Sequence, residues 1–269
     1  MSDSVATSRA RMPEGTNTVL DRRTVETDNS NLLPLLRPGL RVLDAGCGTG
    51  AITAGIAERV APGGNVTGID TGEFLIAQAQ QQFAGAPGLQ FEVADIHTFA
   101  TAEKFDLITS ARVLQWLPDP LQTLRCMRAL LRPGGIVSIL DYNHEKISWA
   151  PAPPASMRRF YDAFLQWRKD AGFDNGIADR LVHLFREAGF TQISTQSCHE
   201  ISLAGSPEFN ATAGIWTKVA ASRGVQLVND GYVTEAERLA AMEDYGQWVA
   251  GTGKSMQLYL LAVSGRNPE

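Results

Sequence analysis

One run stands out in the sequence: Val42-Leu43-Asp44-Ala45-Gly46-Cys47-Gly48-Thr49-Gly50. It begins as a short apolar stretch, reaches an acid, and passes through alternating glycines into a segment with helical spacing. Glycine adopts positive φ without strain and, because it has no Cβ atom, lets a ligand lie directly on the backbone. The run therefore predicts a strand, a turn that cradles a ligand, and a helix.

The glycine spacing alone is compatible with two classes of cofactor. Gly46, Gly48 and Ala51 also satisfy the G-x-G-x-x-G/A pattern of dinucleotide sites. The charge of Asp44 favours one class, because a carboxylate about 4 Å from a diphosphate is repelled by about 4 kcal/mol per charge at an effective dielectric near 20. An ammonium or a sulfonium is attracted instead. S-adenosylmethionine carries both cations and no phosphate, whereas an NAD(P) cofactor stays open as the alternative.

Short apolar runs alternate with amphipathic stretches on both sides of the glycine run, which is typical of β-α units around a parallel sheet. Strands are predicted at 41–45, 65–70, 89–93, 105–110, 136–141, 191–201 and 255–264. Helices are predicted at 16–36, 50–60, 73–83, 155–170 and 179–188, and 207–249 is expected to be mostly helical. A further helix begins at Pro120 with Asp119 as its N-cap and ends before Pro133-Gly134-Gly135.

The segment 44–50, D-A-G-C-G-T-G, resembles motif I of the class I S-adenosylmethionine-dependent methyltransferases. It is most similar to the branch of the ubiquinone/menaquinone C-methyltransferases and trans-aconitate methyltransferase. Residues 105–110 (F-D-L-I-T-S) and 130–135 (L-L-R-P-G-G) are similar to two further motifs of that family. The resemblance implies an α/β, Rossmann-like sheet of seven mostly parallel strands in the order 3-2-1-4-5-7-6. Its last strand is antiparallel, helices cover both faces, and helical inserts are added.

The resemblance also implies the residues that hold S-adenosylmethionine. In the family an acid at the end of the second strand binds the ribose hydroxyls, and an acid with an apolar neighbour after the third strand binds adenine. The predicted cofactor set is Asp44, Gly46, Cys47, Gly48, Asp70, Thr71, Asp95, Ile96, Arg112, Gln115 and Arg23. For Asp70 and Asp95, capping of a helix N-terminus is the alternative interpretation.

Methyl transfer is an in-line displacement in which the protein supplies alignment and excludes water. A base helps when the acceptor must lose a proton. His144, just after the fifth strand, is the predicted catalytic base, and His97 and Tyr142 are weaker positional candidates. For each of the three, a surface or satisfied structural role is the alternative interpretation. The predicted acceptor-binding residues are Trp116, Tyr142, Phe160, Phe164 and Trp167. Core packing is the alternative for the three that share one helix face, and packing of the next helix against the sheet is the alternative for Trp116.

Bulk properties exclude several classes of function. The net charge is −5 and no basic stripe is present, so nucleic acid is not an expected partner. No apolar run approaches the roughly 20 residues that span a bilayer and no secretory signal is evident, so we expect a cytoplasmic protein without membrane insertion. The three cysteines are widely spaced, which predicts reduced thiols, and neither they nor the acids suggest a metal site. No N-P-P-Y/F motif follows the fourth strand, so the resemblance does not extend to enzymes that methylate the exocyclic amines of nucleobases.

The predicted organisation has four parts: an N-terminal arm and lid helix (1–38), a cofactor-binding core (39–142), a helical insert over the acceptor site (143–190), and C-terminal strands with a helical insert in the same domain (191–269). The leading hypothesis is methyl transfer from S-adenosylmethionine to an O, N or C nucleophile on a small molecule. The alternatives are an NAD(P)-dependent oxidoreductase and a non-catalytic S-adenosylmethionine-binding regulatory protein. The oligomeric state is open, and a homodimer is one option.

Overall fold

The structure is a computed structural model that describes residues 5–12, 20–206 and 208–269. The described residues form two compact units. The cofactor-core unit comprises residues 20–141, 177–198 and 261–269. The aromatic unit comprises residues 5–12, 142–176 and 199–260.

The elements follow one another in a β-α alternation that changes to mostly helical segments after the fifth strand. In chain order they are α1 (Val5–Ala10), α2 (Val25–Asp28), a 3-10 helix (Ser30–Leu35), β1 (Arg41–Ala45), α3 (Ala51–Val60), β2 (Asn65–Asp70), α4 (Glu73–Gln82), β3 (Leu89–Val93), β4 (Phe105–Ala111), a 3-10 turn (Leu114–Trp116), α5 (Pro120–Leu130), β5 (Leu131–Ala150), α6 (Ala155–Asp170), α7 (Ile177–Glu187), β6 (Thr191–Ser197), β7 (Glu200–Leu203), α8 (Phe209–Ala213), α9 (Ile215–Ala221), α10 (Arg223–Asn229), α11 (Glu235–Ala250) and β8 (Ser255–Arg266).

The described residues form one eight-stranded sheet with the order β3-β2-β1-β4-β5-β8-β6, and β7 also pairs with β8. Strands β1 to β5 pair in parallel, whereas β6 and β7 run antiparallel to β8. The register of β1 places Asp44 opposite Gly68 on β2 and opposite Thr109 on β4. The predicted α/β fold and strand order are therefore confirmed, with β8 in the place of the expected seventh strand.

The central strand β1 is buried on both of its faces within the cofactor-core unit. Successive strand residues point to opposite faces, and Val42 and Leu43 accordingly belong to two different hydrophobic clusters. Leu43 packs in a cluster with residues of α5 and α7 such as Leu124 and Leu181, and Val42 packs with Ile56 of α3. Burial on both faces explains why β1 is a continuous apolar run up to Asp44.

The predicted helix 16–36 is wrong over its described part. Residues 13–19 lie outside the described residues, and the remainder forms α2 and a separate 3-10 helix. Asn29 separates the two helices because its backbone (φ −146°) leaves the helical region. The side-chain amide of Asn29 reaches Thr109 of β4 at 3.5 Å, and that of Asn31 donates to Ser138 of β5 at 3.3 Å. These contacts with the sheet override the local helical pattern.

Two strand predictions also need correction. The fifth strand, predicted at 136–141, extends over Leu131–Ala150, because Gly134 and Gly135 pair with the main chain of Asn267 and Ala150 accepts a hydrogen bond from the N–H of Lys254. The predicted strand 191–201 is divided into β6 and β7. The imidazole of His199 interrupts the ladder, since its Nδ1 lies 3.2 Å from the main-chain nitrogen of Leu260.

The aromatic unit contains α6 and the helices α8 to α11. Helix α11 packs against α6 and α9, and it begins with a capping box in which Thr234 and Glu237 bond each other's main-chain N–H groups. The predicted helix 155–170 and the mostly helical segment 207–249 are confirmed, apart from residue 207, which lies outside the described residues.

The N-cap of α5 is a local contact that the sequence predicted and that mutation can test. Asp119 Oδ1 accepts the N–H of Gln122 at 2.9 Å, and Pro120 occupies the first turn. Asp119→Ala leaves that N–H without its partner, so we expect the free energy of unfolding in urea to fall by about 1 kcal/mol. Asp119→Asn keeps an acceptor at the same place and serves as the control; an equal loss in both variants would contradict the capping role.

Candidate active site

The glycine turn after β1 is set by backbone conformation and close packing. Gly46, Gly48 and Gly50 all have positive φ, at +81°, +56° and +79°. A Cβ atom on Gly46 would collide with the side chain of Val113, and one on Gly50 would lie 2.5 Å from Phe91 Cζ. The N–H groups of Gly46 and Cys47 both donate to the carbonyl of Ile69, at 2.7 and 3.0 Å. The turn is thus fastened to β2 and accepts no larger residue at these positions.

Asp44 is a buried acid at the start of this turn. Its exposed fraction is 5%, and Thr53 Oγ1 of α3 donates a hydrogen bond of 2.7 Å to its Oδ2. Burial raises the pKa of Asp44 from 3.8 to about 6, against the hydrogen bond from Thr53, and the charge of Asp70 raises it further. Asp44 is therefore ionised at neutral pH with one hydroxyl donor to stabilise its charge.

Asp70 fastens the glycine turn from the end of β2. Its Oδ2 accepts the N–H of Gly48 at 3.0 Å and its Oδ1 accepts the N–H of Gly72 at 2.8 Å. Burial raises the pKa of Asp70, and the hydrogen bonds from Gly72 and Gly48 oppose that shift. Gly72 is the N-cap residue of α4. Through its bonds to Gly48 and Gly72, Asp70 therefore joins two turns at the edge of the sheet. Each oxygen keeps a further lone pair for a ligand.

Asp95 and Ile96 follow β3. Asp95 Oδ1 accepts two hydrogen bonds from His97, one from its main-chain nitrogen at 2.9 Å and one from its Nδ1 at 2.7 Å. The Asp95 side chain is 50% exposed, whereas Ile96 is half-buried against the cluster that contains Leu43. A half-exposed carboxylate beside an apolar side chain is suited to the polar edge and the face of a planar ring.

The segment after β4 brings three of the predicted residues to the same edge of the sheet. Arg112 has a positive φ of +63° and is buried, and its N–H donates to Leu140 of β5 at 2.7 Å. The carbonyl of Arg112 accepts Gln115 Nε2 at 3.1 Å. The N–H of Gln115 in turn donates to Asp141 Oδ2 at 3.0 Å, and Trp116 is half-buried.

Asp141 was not predicted as a site residue, although it is fully buried within β5, directly after an apolar run, as Asp44 nearly is in β1. An acid that terminates an apolar strand run was the available signal. Thr53 was also missed, since a threonine within a helix gives no such signal. The remaining predicted cofactor residues are the half-buried Cys47 and Arg23 and the exposed Thr71. Burial and the charges of Asp44 and Asp70 raise the pKa of the Cys47 thiol well above its usual value, so this cysteine stays protonated.

These features can be tested for their fit to S-adenosylmethionine. Asp44 and Asp70 place two negative charges at one glycine turn, and the charge of Asp70 raises the pKa of Asp44. A cation and hydroxyl donors offset that cost, whereas a diphosphate increases it. Thr49 Oγ1 is also buried in the same turn without a hydrogen-bond partner among the described residues. The donor set and its charge therefore fit a cationic, hydroxyl-bearing cofactor.

The other predicted residues belong to the aromatic unit. His144 is 8% exposed, its main-chain N–H donates to Asn175 at 2.7 Å, and its carbonyl accepts the hydroxyl of Tyr161 at 2.5 Å. Its ring centroid lies 5.3 Å from that of Tyr142, and the ring also contacts Phe164 and Trp216 edge-on. Burial, and then the charge of Arg168, lower the pKa of His144 well below 6.5. The imidazole is therefore neutral at physiological pH.

Phe160, Phe164 and Trp167 are 1%, 2% and 0% exposed, so all three pack in the interior of the aromatic unit. Trp216 was not predicted from the sequence, although it joins this cluster with its ring 4.6 Å from that of Tyr161. Its signal was weak, because a single tryptophan in a helical stretch is typical of core packing.

Two absences apply to residues 5–12, 20–206 and 208–269. Within these ranges no three His, Cys, Asp or Glu side chains are grouped so that they hold a metal ion. No helix within the same ranges has the length and apolar character needed to cross a membrane.

Known proteins match both the sequence and the fold. A family model described as a methyltransferase domain matches residues 36–189. The trans-aconitate 2-methyltransferase of Deinococcus radiodurans is 40% identical over 113 residues, which are 42% of this chain and 42% of that protein. The ubiquinone biosynthesis O-methyltransferase of Aeromonas salmonicida is 36% identical over 108 residues, which are 39% and 44% of the two chains. The chain thus spans less than half the length of either relative.

A solved structure shows the same fold at low sequence identity. It is phosphoethanolamine N-methyltransferase 2 of Haemonchus contortus in complex with phosphomonomethylethanolamine and S-adenosylhomocysteine. The TM-score is 0.56 at 17% identity, and the superposition covers 90% of this chain and 53% of that chain.

The raised pKa of Asp44 predicts a pH-dependent difference between the protein and Asp44→Asn. In the folded state the carboxyl keeps its proton up to about pH 6, whereas in the unfolded chain it loses the proton near 3.8. Its contribution to stability is therefore present at low pH and lost as the pH rises through 6. The amide of the variant does not titrate. We therefore expect the unfolding free energy of the variant, taken relative to that of the unchanged protein, to be about 2 kcal/mol higher at pH 7.5 than at pH 4.5. Urea unfolding at both pH values measures the gain, and a constant difference would contradict a buried charge.

Proposed function

Because this chain belongs to the family of methyltransferase domains, we propose that it transfers a methyl group from S-adenosylmethionine to a small-molecule acceptor. The observation that carries this proposal is the buried Asp44 carboxylate at the glycine turn, with Asp70 beside it. Their combined negative charge suits a cationic cofactor and disfavours a diphosphate. The oxidoreductase alternative therefore has the wrong charge at the site.

S-adenosylmethionine supplies an electrophilic methyl group on a sulfonium sulfur. In the proposed site the turn of Gly46, Cys47 and Gly48 lets it approach the backbone, and Asp44 attracts its positive charge. Asp70 accepts hydrogen bonds from the ribose hydroxyls through the lone pairs that Gly48 and Gly72 leave open. Asp95 accepts from the adenine amino group while Ile96 packs against the ring. The proposed set is completed by Thr71, Arg112, Gln115 and Arg23.

The chain's contribution to the transfer itself is alignment and, for an acceptor that must lose a proton, a base. We assign the base to His144, because its buried imidazole is neutral at physiological pH, which is the form that can accept a proton from an acceptor. Tyr161 and Asn175 hold its main chain on both sides. Trp116, Tyr142, Phe160, Phe164 and Trp167 are the proposed acceptor-binding residues.

The acceptor is proposed only as a class. The relatives' names specify trans-aconitate and ubiquinone biosynthesis, which are a small acid and the pathway to a quinone. The aromatic cluster around His144 favours a small, largely uncharged molecule, with an O, N or C nucleophile. A screen of metabolite pools with tritiated methyl donor, followed by mass spectrometry of the labelled product, identifies the acceptor. Tight cofactor binding with no labelled product in any pool would favour a non-catalytic regulatory protein.

The cofactor assignment is tested by ligand-dependent melting. S-adenosylhomocysteine at saturating concentration should raise the melting temperature of the protein, whereas NAD+ and NADH should not. Asp44→Asn removes the charge from a buried site, so we expect its affinity for S-adenosylmethionine, measured by calorimetry, to fall at least about tenfold.

Asp162→Asn is the matched control for this experiment. It makes the same substitution on α6, at a carboxylate whose side chain is 56% exposed. Its affinity should equal that of the unchanged protein. Stabilisation by NAD+ instead of S-adenosylhomocysteine would overturn the proposed function.

The role of His144 is tested by its pH dependence. Because burial keeps its pKa well below 6.5, kcat/KM should stay level from pH 8 down to 6.5 and fall only below that range. His144→Gln removes the base and should lower kcat about a hundredfold or more, while the affinity for S-adenosylhomocysteine stays the same. A kcat within a few-fold of the unchanged enzyme would show that His144 is structural.

A further inference from the structure

A chain of hydrogen bonds links Asp95 to helix α5. His97 Nδ1 lies 2.7 Å from Asp95 Oδ1, and its Nε2 lies 3.0 Å from Oγ1 of Thr123. Thr123 is fully buried, and its hydroxyl also lies 3.0 Å from the carbonyl of Asp119, the N-cap of α5. The imidazole is thus held between the loop after β3 and the first turn of a helix.

The hydrogen bond between the His97 ring and Asp95 is possible in both protonation states of His97. In the neutral ring Nδ1–H donates to Asp95, and the Thr123 hydroxyl donates to Nε2. In the imidazolium both ring nitrogens donate, and the hydroxyl turns its proton to the carbonyl of Asp119. Either arrangement satisfies every group, so the ring is a permanent tether for the Asp95 carboxylate.

The tether acts on one oxygen of the carboxylate. Oδ1 receives both the imidazole and the main-chain N–H of His97. Among the described residues no hydrogen bond reaches Oδ2 of Asp95, whose side chain is half exposed. Two donors on Oδ1 fix the plane of the carboxylate and leave Oδ2 as the oxygen that meets a ligand.

Resting on the proposed function, we propose that His97 is a positioning residue that makes the adenine end of the site selective for a 6-aminopurine. An amino group donates to the fixed Oδ2, whereas a 6-oxopurine presents an oxygen that is repelled by it. A carboxylate free to rotate would discriminate less, because it could turn away from the oxo group. Selectivity therefore depends on the bond from His97 as well as on Asp95.

The experiment compares the calorimetric affinities for S-adenosylhomocysteine and for S-inosylhomocysteine, in which oxygen replaces the adenine amino group. The ratio of the two affinities reports selectivity, and a general loss of folding does not raise or lower it. The unchanged protein should bind the adenine compound more tightly, and Asp95→Ala should remove most of the difference.

Two substitutions of His97 separate the two ends of the tether. His97→Asn places an amide nitrogen near the position of Nδ1, so it keeps the donor to Asp95 and loses the contact with Thr123. His97→Gln places its amide near Nε2, so it keeps Thr123 and loses the donor to Asp95. We expect His97→Gln to reduce the affinity ratio about threefold to tenfold, and His97→Asn to stay within about twofold of the unchanged protein.

His183→Gln is the matched control, since it makes the same substitution at a side chain that is 76% exposed on α7; its ratio should not change. An unchanged ratio in His97→Gln, or equal losses in His97→Gln and His97→Asn, would overturn the positioning role while leaving the proposed function intact. An unchanged affinity ratio in Asp95→Ala would also overturn the positioning role of His97. Failure of the unchanged protein to bind S-adenosylhomocysteine would instead overturn the proposed function, and the positioning role with it.

Discussion

The carboxylate of Asp44 is buried, and within the described part of the chain a single hydroxyl donor, that of Thr53, stabilises its charge. Such a group destabilises the free protein at neutral pH, because desolvation disfavours its ionised form. The glycine turn itself is fastened by the main chain of Ile69 and by Asp70. A cationic ligand, as in the proposed function, would offset this cost.

Asp44, Asp70 and Asp95 come to one edge because the strands before them are neighbours. The order β3-β2-β1 and the parallel register, in which Ala45 lies opposite Ile69 and Asp70 opposite Val93, align the three carboxyl ends. Each acid is then fixed by a different partner: a helix hydroxyl, two main-chain N–H groups, or an imidazole. Fixed carboxylates with one free oxygen or lone pair are what an oriented ligand needs.

The sequence predicted the features that depend on neighbouring residues alone. These include the glycine turn after β1 and the start of α5 at its N-cap. The errors arise where distant residues act: Asn29 leaves the helical conformation beside β4, and His199 breaks a strand by bonding to β8. The same difference between local and distant contacts holds at the proposed site. The family resemblance predicted acids at the ends of the first three strands. Their partners could not be named, since Thr53 is on a helix and the tether from His97 to Thr123 is visible only once α5 is in place.

Burial shifts the pKa values of two residues of the proposed site in opposite directions. It lowers the pKa of His144, so that the imidazole is in the neutral form that a base requires. It raises the pKa of Asp44, which favours the protonated carboxyl, and that form would bind a cation more weakly. A bound cation must reverse the second shift, because it stabilises the ionised carboxylate that attracts it. In the proposed site, cofactor binding and the ionisation of Asp44 would be coupled, and binding would release a proton only below about pH 6, where the free protein keeps it.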